Sequence, residues 1–340
     1  MTAIQAIPAT VSSASASSDI SEDIAQLCKA CADPLRLNIL RALHNDSLGV
    51  SELCALFKIR QPALSHHLKV LANAGLVTTR REGTTNFYRR SEPLAAQPGA
   101  AILRSLLNEL DHRELPPCMR QGMESLQRAR EENSRHFFRH NAHKFREQQD
   151  LIASYEQYAD TVADMLQRAP LPRHGVALEV GPGDGRFLSV LAQRFDRVLA
   201  VDNATAMLDS SRRFASDRRL DNIEFILGDP ASEALAELQA DCIVINMVLH
   251  HTPQPEETLA DAAAHLAPGG VMAVTDLCRH DQGWARENCG DLWLGFEPEQ
   301  LTAWAETAGL TDLSSTFLTQ RNGFQIQVRL FGHRHAWETA

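Results

Sequence analysis

Glu179 and the glycines at 181, 183 and 185 are the residues whose spacing specifies a chemistry most directly. They stand in Leu178-Glu179-Val180-Gly181-Pro182-Gly183-Asp184-Gly185, after a short β-rich run and ahead of a helical stretch starting at Arg186. Glycines in that place allow a sharp turn and let a ligand come close to the backbone. Asp202 closes the next β-rich run, about twenty positions on, where a carboxylate can accept both hydrogen bonds of a ribose diol; Asn203 follows it. A dinucleotide fingerprint requires a further glycine at position 186, which is Arg186, so the spacing argues against NAD. Gly228-Asp229-Pro230 follows the third β-rich run and offers an acid to an adenine amino group. Asn246 ends the fourth, and His250 and His251 come directly after. Either histidine could act as a base for a reluctant nucleophile, although histidines at a strand exit are more often structural.

A second chemistry lies upstream. Gln61-Pro62-Ala63-Leu64-Ser65-His66-His67-Leu68-Lys69-Val70-Leu71 has leucines at i, i+4 and i+7, which hold a helix to a core. Gln61, Ser65, His66 and Lys69 are left facing outward. Gln and Ser suit base edges and Lys suits phosphates, as a recognition helix requires. Between Phe57 and Arg90 stand Lys58, Arg60, Lys69, Arg80, Arg81, Arg89 and Arg90 against Glu82 alone, a basic patch in a chain of net charge −10. Arg80, Arg81, Arg89 and Arg90 fall on a predicted hairpin that would lie along DNA as a wing, with Glu82-Gly83 at its tight turn.

The elements that must position these residues follow from periodicity. Asp33 caps a helix with Pro34 at its first position. Val50–Phe57 makes a bracing helix, and Gly75 ends the recognition helix. Ile102, Leu106, Leu107 and Leu110 fall together on a helix suited to dimerisation. Pro116-Pro117 break it, and the helices beyond carry Phe137, Phe138, Phe145, Tyr155 and Tyr158, an aromatic stripe suited to packing. Tyr155 is also placed to cover a pocket. From Val176 onward β-rich runs at 177–180, 197–201, 223–227, 242–246, 271–275 and 325–331 alternate with helices, the pattern of a parallel sheet with crossover helices.

The 340 residues suffice for two cores. The expected layout is a disordered tail over 1–19, a winged helix–turn–helix unit over 20–112, a helical linker over 113–165 and an α/β unit over 166–340. No apolar run is long enough for a membrane span, no signal peptide is evident, and a cytoplasmic protein with reduced thiols is expected. Cys28 and Cys31 lie one helical turn apart near Cys54 and could gather around a soft ion, but their positions equally suit packing, and no metal is expected.

Ala32-Asp33-Pro34-Leu35-Arg36-Leu37, the Gln61–Leu68 run and Leu71–Val77 together resemble the ArsR-type winged helix–turn–helix regulators. That resemblance implies a homodimer on a near-palindromic double-stranded operator, with repression until an inducer arrives. The paired cysteines of the arsenic-sensing pattern are missing, since Cys54 is followed by Ala55 and Leu56. The downstream motifs, with Leu266-Ala267-Pro268-Gly269-Gly270, resemble the class I S-adenosylmethionine (SAM)-dependent methyltransferases, a Rossmann-like fold. By that resemblance Glu179, Gly181, Pro182 and Gly183 line a methionine moiety, Asp202 and Asn203 the ribose, Gly228, Asp229 and Pro230 the adenine, and Asn246 the sulfur. The two halves in this order, with the segments His280–Glu287 and Gly290–Phe296, look like ArsR-type regulators of the methionine cycle that respond to S-adenosylhomocysteine (SAH). The resulting expectation is a repressor that senses SAH or SAM, with an active methyltransferase of a small metabolite as the alternative.

Overall fold

The computed structural model describes residues 20–333, apart from 45, 83–84, 92–97, 142–144 and 170. The tail expected over 1–19 and the wing turn at Gly83 lie outside the described residues. The chain divides into two compact units, one made of residues 1–81 and 85–120 and the other chiefly of residues 121–340.

The first unit contains α1 (Ile20–Cys31), α2 (Pro34–Ala42), β1 (Leu48–Gly49), α3 (Val50–Phe57), α4 (Gln61–Asn73), β2 (Val77–Glu82), β3 (Thr85–Arg90) and α5 (Ala100–Asp111). Asp33 caps α2, accepting from the Arg36 N–H at 3.0 Å, with Pro34 at the first turn where its missing N–H costs nothing. Gly75, at φ +70°, ends α4: the Leu76 N–H reaches back to the Leu71 carbonyl at 2.9 Å, closing the helix as a glycine beyond the C-cap allows. Leu64, Leu68 and Leu71 are fully buried, joined in the core by Ile39, Leu40, Leu43 and Leu53. The strands form a three-stranded sheet in the order β1-β3-β2. On α5, Leu103 and Leu107 are buried while Ile102 is 50% exposed. Leu107, expected on the dimerisation face, belongs instead to the core.

The chain continues through α6 (Pro117–Asn141), α7 (Phe145–Ile152) and α8 (Tyr155–Arg168) into β4 (Val176–Val180), α9 (Leu188–Arg194), β5 (Arg197–Asp202), α10 (Thr205–Arg218) and β6 (Ile223–Leu227). Then come β7 (Ala240–Asn246), α11 (Pro255–Ala264), β8 (Leu266–Leu277), α12 (Trp284–Cys289), α13 (Pro298–Thr307), β9 (Leu310–Thr319) and β10 (Gln325–His333). Seven strands form one sheet in the order β6-β5-β4-β7-β8-β10-β9. β6 through β8 run parallel, and β10 is antiparallel to both β8 and β9. Fully buried strands such as β7, Ala-Asp-Cys-Ile-Val-Ile-Asn, read as continuous apolar runs because helices cover both faces of the sheet.

Of the segment expected to be a linker over 113–165, residues 121–165 fall in this second unit. Ile152, Ala153, Ala159, Val162 and Leu166 are buried in one of the two cores flanking the sheet, and Tyr155 and Tyr158 pack against it. The polar faces of these helices suggest a solvated connection, yet the period of α8 turns one apolar stripe onto the sheet. Among the described residues no helix is long and apolar enough to cross a membrane.

Candidate functional site

The chain leaves β4, runs out to β5 and β6 on one side, and returns to β7 on the other. A crevice therefore opens between the carboxyl ends of β4 and β7, where ligands bind in open α/β sheets. A cavity of about 410 Å³ lies there. All eleven residues expected to bind a nucleoside line it: Tyr155, Glu179, Gly181, Pro182, Gly183, Asp202, Asn203, Gly228, Asp229, Pro230 and Asn246.

The glycine loop is held in place by contacts only glycine permits. Gly181 sits at φ +65°, and a Cβ there would come within 2.6 Å of a Val248 methyl carbon. Gly185, at φ +84°, would drive a Cβ to 2.9 Å from the Ser211 Cα on α10. The Ser211 hydroxyl donates to the Gly183 carbonyl at 3.0 Å, and the Gly181 N–H donates to the Val201 carbonyl at 2.8 Å. Backbone of β4, β5 and α10 thus forms a fixed cradle.

Polar groups converge on that cradle without satisfying one another. Glu179 is buried, and its burial, reinforced by Asp184, pushes its carboxyl well above the usual range. Among the described residues Glu179 Oε2 and both side-chain polar atoms of Asn246 lack a hydrogen-bond partner, although Asn246 is only 9% exposed. Buried amides and carboxyls are costly when unpaired, so these atoms point to a polar ligand or its waters. Asp202 accepts from the Ala204 N–H at 2.8 Å, and burial against the cavity wall raises its carboxyl to about 7. Asp229 is exposed at the rim, held by the Ser232 hydroxyl at 3.2 Å.

Tyr155 lies under the Arg186 guanidinium, whose carbon is 4.4 Å from the ring centroid. Arg186 is ion-paired to Asp184 and to Glu156, each at 2.9 Å. Burial, with Glu179 adding to it, pushes the Tyr155 phenol up to about 12, so its hydroxyl keeps its proton at the cavity wall. Residues not anticipated here include Gln149, Tyr158, Asp184 and Arg186. Arg186 and Asp184 adjoin the glycine motif, which marks their place; Gln149 and Tyr158 lie in the segment expected to be linker.

The two histidines part company. His251 lines the cavity. His250 is fully buried with Nδ1 on Asp276 Oδ1 at 2.8 Å and does not line it, so it cannot serve as a base to a ligand there. Burial lowers the His250 pKa, but Asp276 and Asp291 outweigh it and hold the value at about 9. His251 is pushed well below its ordinary value by burial and by its neighbour His250.

In the first unit Gln61, Ser65, His66 and Lys69 are exposed along one side of α4, opposite the buried leucines. Arg81 on β2 is exposed and Arg89 on β3 is half-buried; the side chain of Arg80 lies outside the described residues. Arg90 departs from expectation. Its side chain is 4% exposed and makes a two-pronged pair with Asp111, at 2.7 and 2.9 Å, so it braces β3 against α5 instead of facing a groove. All seven cysteines are free thiols, with Cys28 exposed and Cys31 and Cys54 half-buried.

Residues 135–315 match the methyltransferase domain model, and residues 33–79 match that of the bacterial regulatory proteins of the arsR family. Trans-aconitate 2-methyltransferase of Variovorax paradoxus is 32% identical over 178 residues, 51% of this chain and 64% of that protein. An uncharacterized HTH-type transcriptional regulator of Methanocaldococcus jannaschii is 47% identical over 68 residues, 20% of this chain and 76% of that protein. The biofilm growth-associated repressor of Agrobacterium fabrum is 45% identical over 75 residues, 22% of this chain and 64% of that protein. This chain therefore spans less than two thirds of the methyltransferase and of the repressor it matches.

Proposed function

The chain belongs to the methyltransferase domain family and carries an arsR-family DNA-binding module ahead of it, and from that pairing we propose a transcriptional repressor whose second unit binds SAH or SAM as effector. The observation that carries this reading is the convergence on one cavity of a glycine cradle, a ribose-ready carboxylate at Asp202 and unpaired polar atoms on Glu179 and Asn246. In the same chain, α4 presents Gln61, Ser65, His66 and Lys69 as a recognition surface for double-stranded operator DNA. Ile102, Leu106 and Leu110 stay at least partly exposed at i, i+4 and i+8 on α5, which supports a homodimer built on that stripe. Genes of the methionine and SAM cycle are the fitting targets for a regulator that reads SAH or SAM, and a cytoplasmic location follows from that role.

An effector can act only through a difference in affinity between the DNA-binding and non-binding states; about 2 to 3 kcal/mol suffices to change operator occupancy. Fluorescence anisotropy on the protein's own upstream DNA, titrated with SAH and separately with SAM, tests the reading. A shift in operator affinity at micromolar ligand is expected. Binding of both ligands with DNA affinity unchanged would remove the coupling.

The alternative, methyl transfer to a small metabolite, draws on His251 in the cavity wall and on the relatedness to a methyltransferase. Proximity and orientation would supply most of that rate, with neutral His251 as base. An anionic acceptor such as aconitate suits this cavity poorly. Asp150, Glu179, Asp184, Asp202, Asp229, Glu257 and Asp261 line it, against Arg186, which is already paired with two carboxylates. Turnover of labelled SAM with cell extract separates enzyme from sensor.

A further inference from the structure

Behind the cavity wall, the exit of β7 and the segment after α12 bring together three side chains that nucleoside binding does not use. His250 and Asp291 are 0% and 2% exposed, and His251 is 7% exposed. His250 Nε2 and His251 Nδ1 lie 3.9 and 3.8 Å from the same oxygen, Asp291 Oδ1. One donor atom from each residue falls within 4.8 Å of the other two. Among the described residues neither oxygen of Asp291, nor His250 Nε2, has a hydrogen-bond partner. Buried carboxylates are normally paired, hydrogen-bonded or bound to a metal, and these donors converge without a hydrogen bond among them, as ligands around a cation do.

We propose that His250 Nε2, His251 Nδ1 and the Asp291 carboxylate bind a divalent transition-metal ion of the zinc class. Two imidazoles and one carboxylate favour zinc, cobalt or iron(II) over magnesium or calcium, which prefer all-oxygen shells. The support behind the first ligand has the form such sites take: Asp276 Oδ1, 2.8 Å from His250 Nδ1, accepts that ring proton, so that an ion displacing the proton on Nε2 finds an oriented ligand. His251 Nδ1 is 3.3 Å from the Gly290 carbonyl, and its Nε2 is 3.0 Å from the Gln149 side-chain nitrogen. Ligation through Nδ1 puts the ring proton on Nε2, and a turn of the Gln149 amide presents its oxygen to that proton. The two separations to Asp291, 3.9 and 3.8 Å, exceed the roughly 3.3 Å edge of a tetrahedron with bonds of about 2.0 Å, so the groups draw in around the ion. Because His251 also lines the cavity, the ion fixes part of the cavity wall to the Gly290–Asp291 segment. The proposal holds whichever nucleoside fills the cavity.

The full-length protein, stripped with a chelator and dialysed against cobalt(II) or zinc(II), provides the test, read by elemental analysis and by the cobalt absorption spectrum. About one ion per chain is expected, with ligand-field bands and no thiolate-to-cobalt charge-transfer band. His251→Gln and Asp291→Asn should each weaken binding at least tenfold, and Asp276→Asn by about 10- to 100-fold. Replacing Cys28, Cys31 and Cys54 together by Ser should leave the ion in place. A wild-type chain that takes up no ion overturns the proposal. So does an ion that shows the thiolate band, survives in His251→Gln or departs in the serine variant. If Asp291→Asn fails to fold, the wild-type spectrum and His251→Gln, which alters a residue at the cavity surface, still decide.

Discussion

Asp202 carries opposite demands. A ribose diol needs a charged acceptor, yet burial against the cavity wall raises that carboxyl from 3.8 to about 7, only partly offset by the Ala204 N–H. A carboxyl whose pKa rises on folding keeps its proton in the native state after the unfolded chain has lost it. Stability therefore falls as pH climbs from 3.8 to about 7, and above that the full cost is present. Asp202→Asn keeps an oxygen for the Ala204 N–H and has no charge to desolvate. At pH 8 the ligand-free variant should melt above the parent protein, and the gap should narrow at pH 5. Its affinity for SAH should fall about tenfold or more, since a hydrogen bond to a charged group is worth about 1.5 to 3 kcal/mol. Calorimetry at both pH values, with SAH titrations at pH 8, checks both halves; a variant that melts lower at both pH values and still binds SAH would mark Asp202 as structural. The place of Asp202 on the cavity wall was legible in the sequence because strand exits can be read from β-rich runs. The same holds for the places of Glu179, Gly181 and Asn246. The pairing of His250 with Asp276 and Asp291 was not legible, because the partners come from separate elements that only the folded sheet brings side by side.

Among the elements, those with a complete local signal were recovered from sequence. α4 has its leucine spacing and the Gly75 stop, and β4, β5 and β7 have continuous apolar runs. β9 has neither: at the sheet edge its residues alternate between partly buried and exposed, and Leu-Thr-Asp-Leu-Ser-Ser-Thr reads as loop. α8 was visible as a helix, but its docking on the sheet depends on contacts far along the chain. In sequence nothing local distinguishes Arg90 from Arg89, so both read as wing cations. What does distinguish it is Asp111, delivered by α5 at 16% side-chain exposure and also 3.3 Å from His44 Nδ1. Removing one member of a buried ion pair leaves the other charged and unpaired. Asp111→Ala should destabilise the first unit by about 3 to 5 kcal/mol, whereas Lys69→Ala, on the exposed side of α4, should cost less than about 0.5 kcal/mol. Urea unfolding followed by far-ultraviolet dichroism measures both. Equal stabilities for the two variants would mean that the Arg90–Asp111 pair does not hold β3 to α5.

At the scale of the whole molecule, a net charge of −10 is compatible with DNA binding only because the cations are concentrated around α4 and the wing. Operator affinity should then fall steeply with salt, while binding of a nucleoside in the cavity should depend on salt much less. That difference permits a clean test of coupling. If SAH changes operator affinity by some factor, thermodynamic linkage requires operator DNA to change SAH affinity by the same factor, in the same buffer. For a coupling of about 2 to 3 kcal/mol that factor is roughly 30 to 150. Calorimetric titration of SAH into the protein, alone and saturated with its operator duplex, should give dissociation constants whose ratio equals the anisotropy shift. A duplex of scrambled sequence that binds only through phosphates should give a smaller ratio if the effector acts on the sequence-reading state. Equal SAH affinities with and without operator, beside an SAH-dependent loss of DNA binding, would mean that the loss does not come from a coupled binding equilibrium, and the sensor reading would fail.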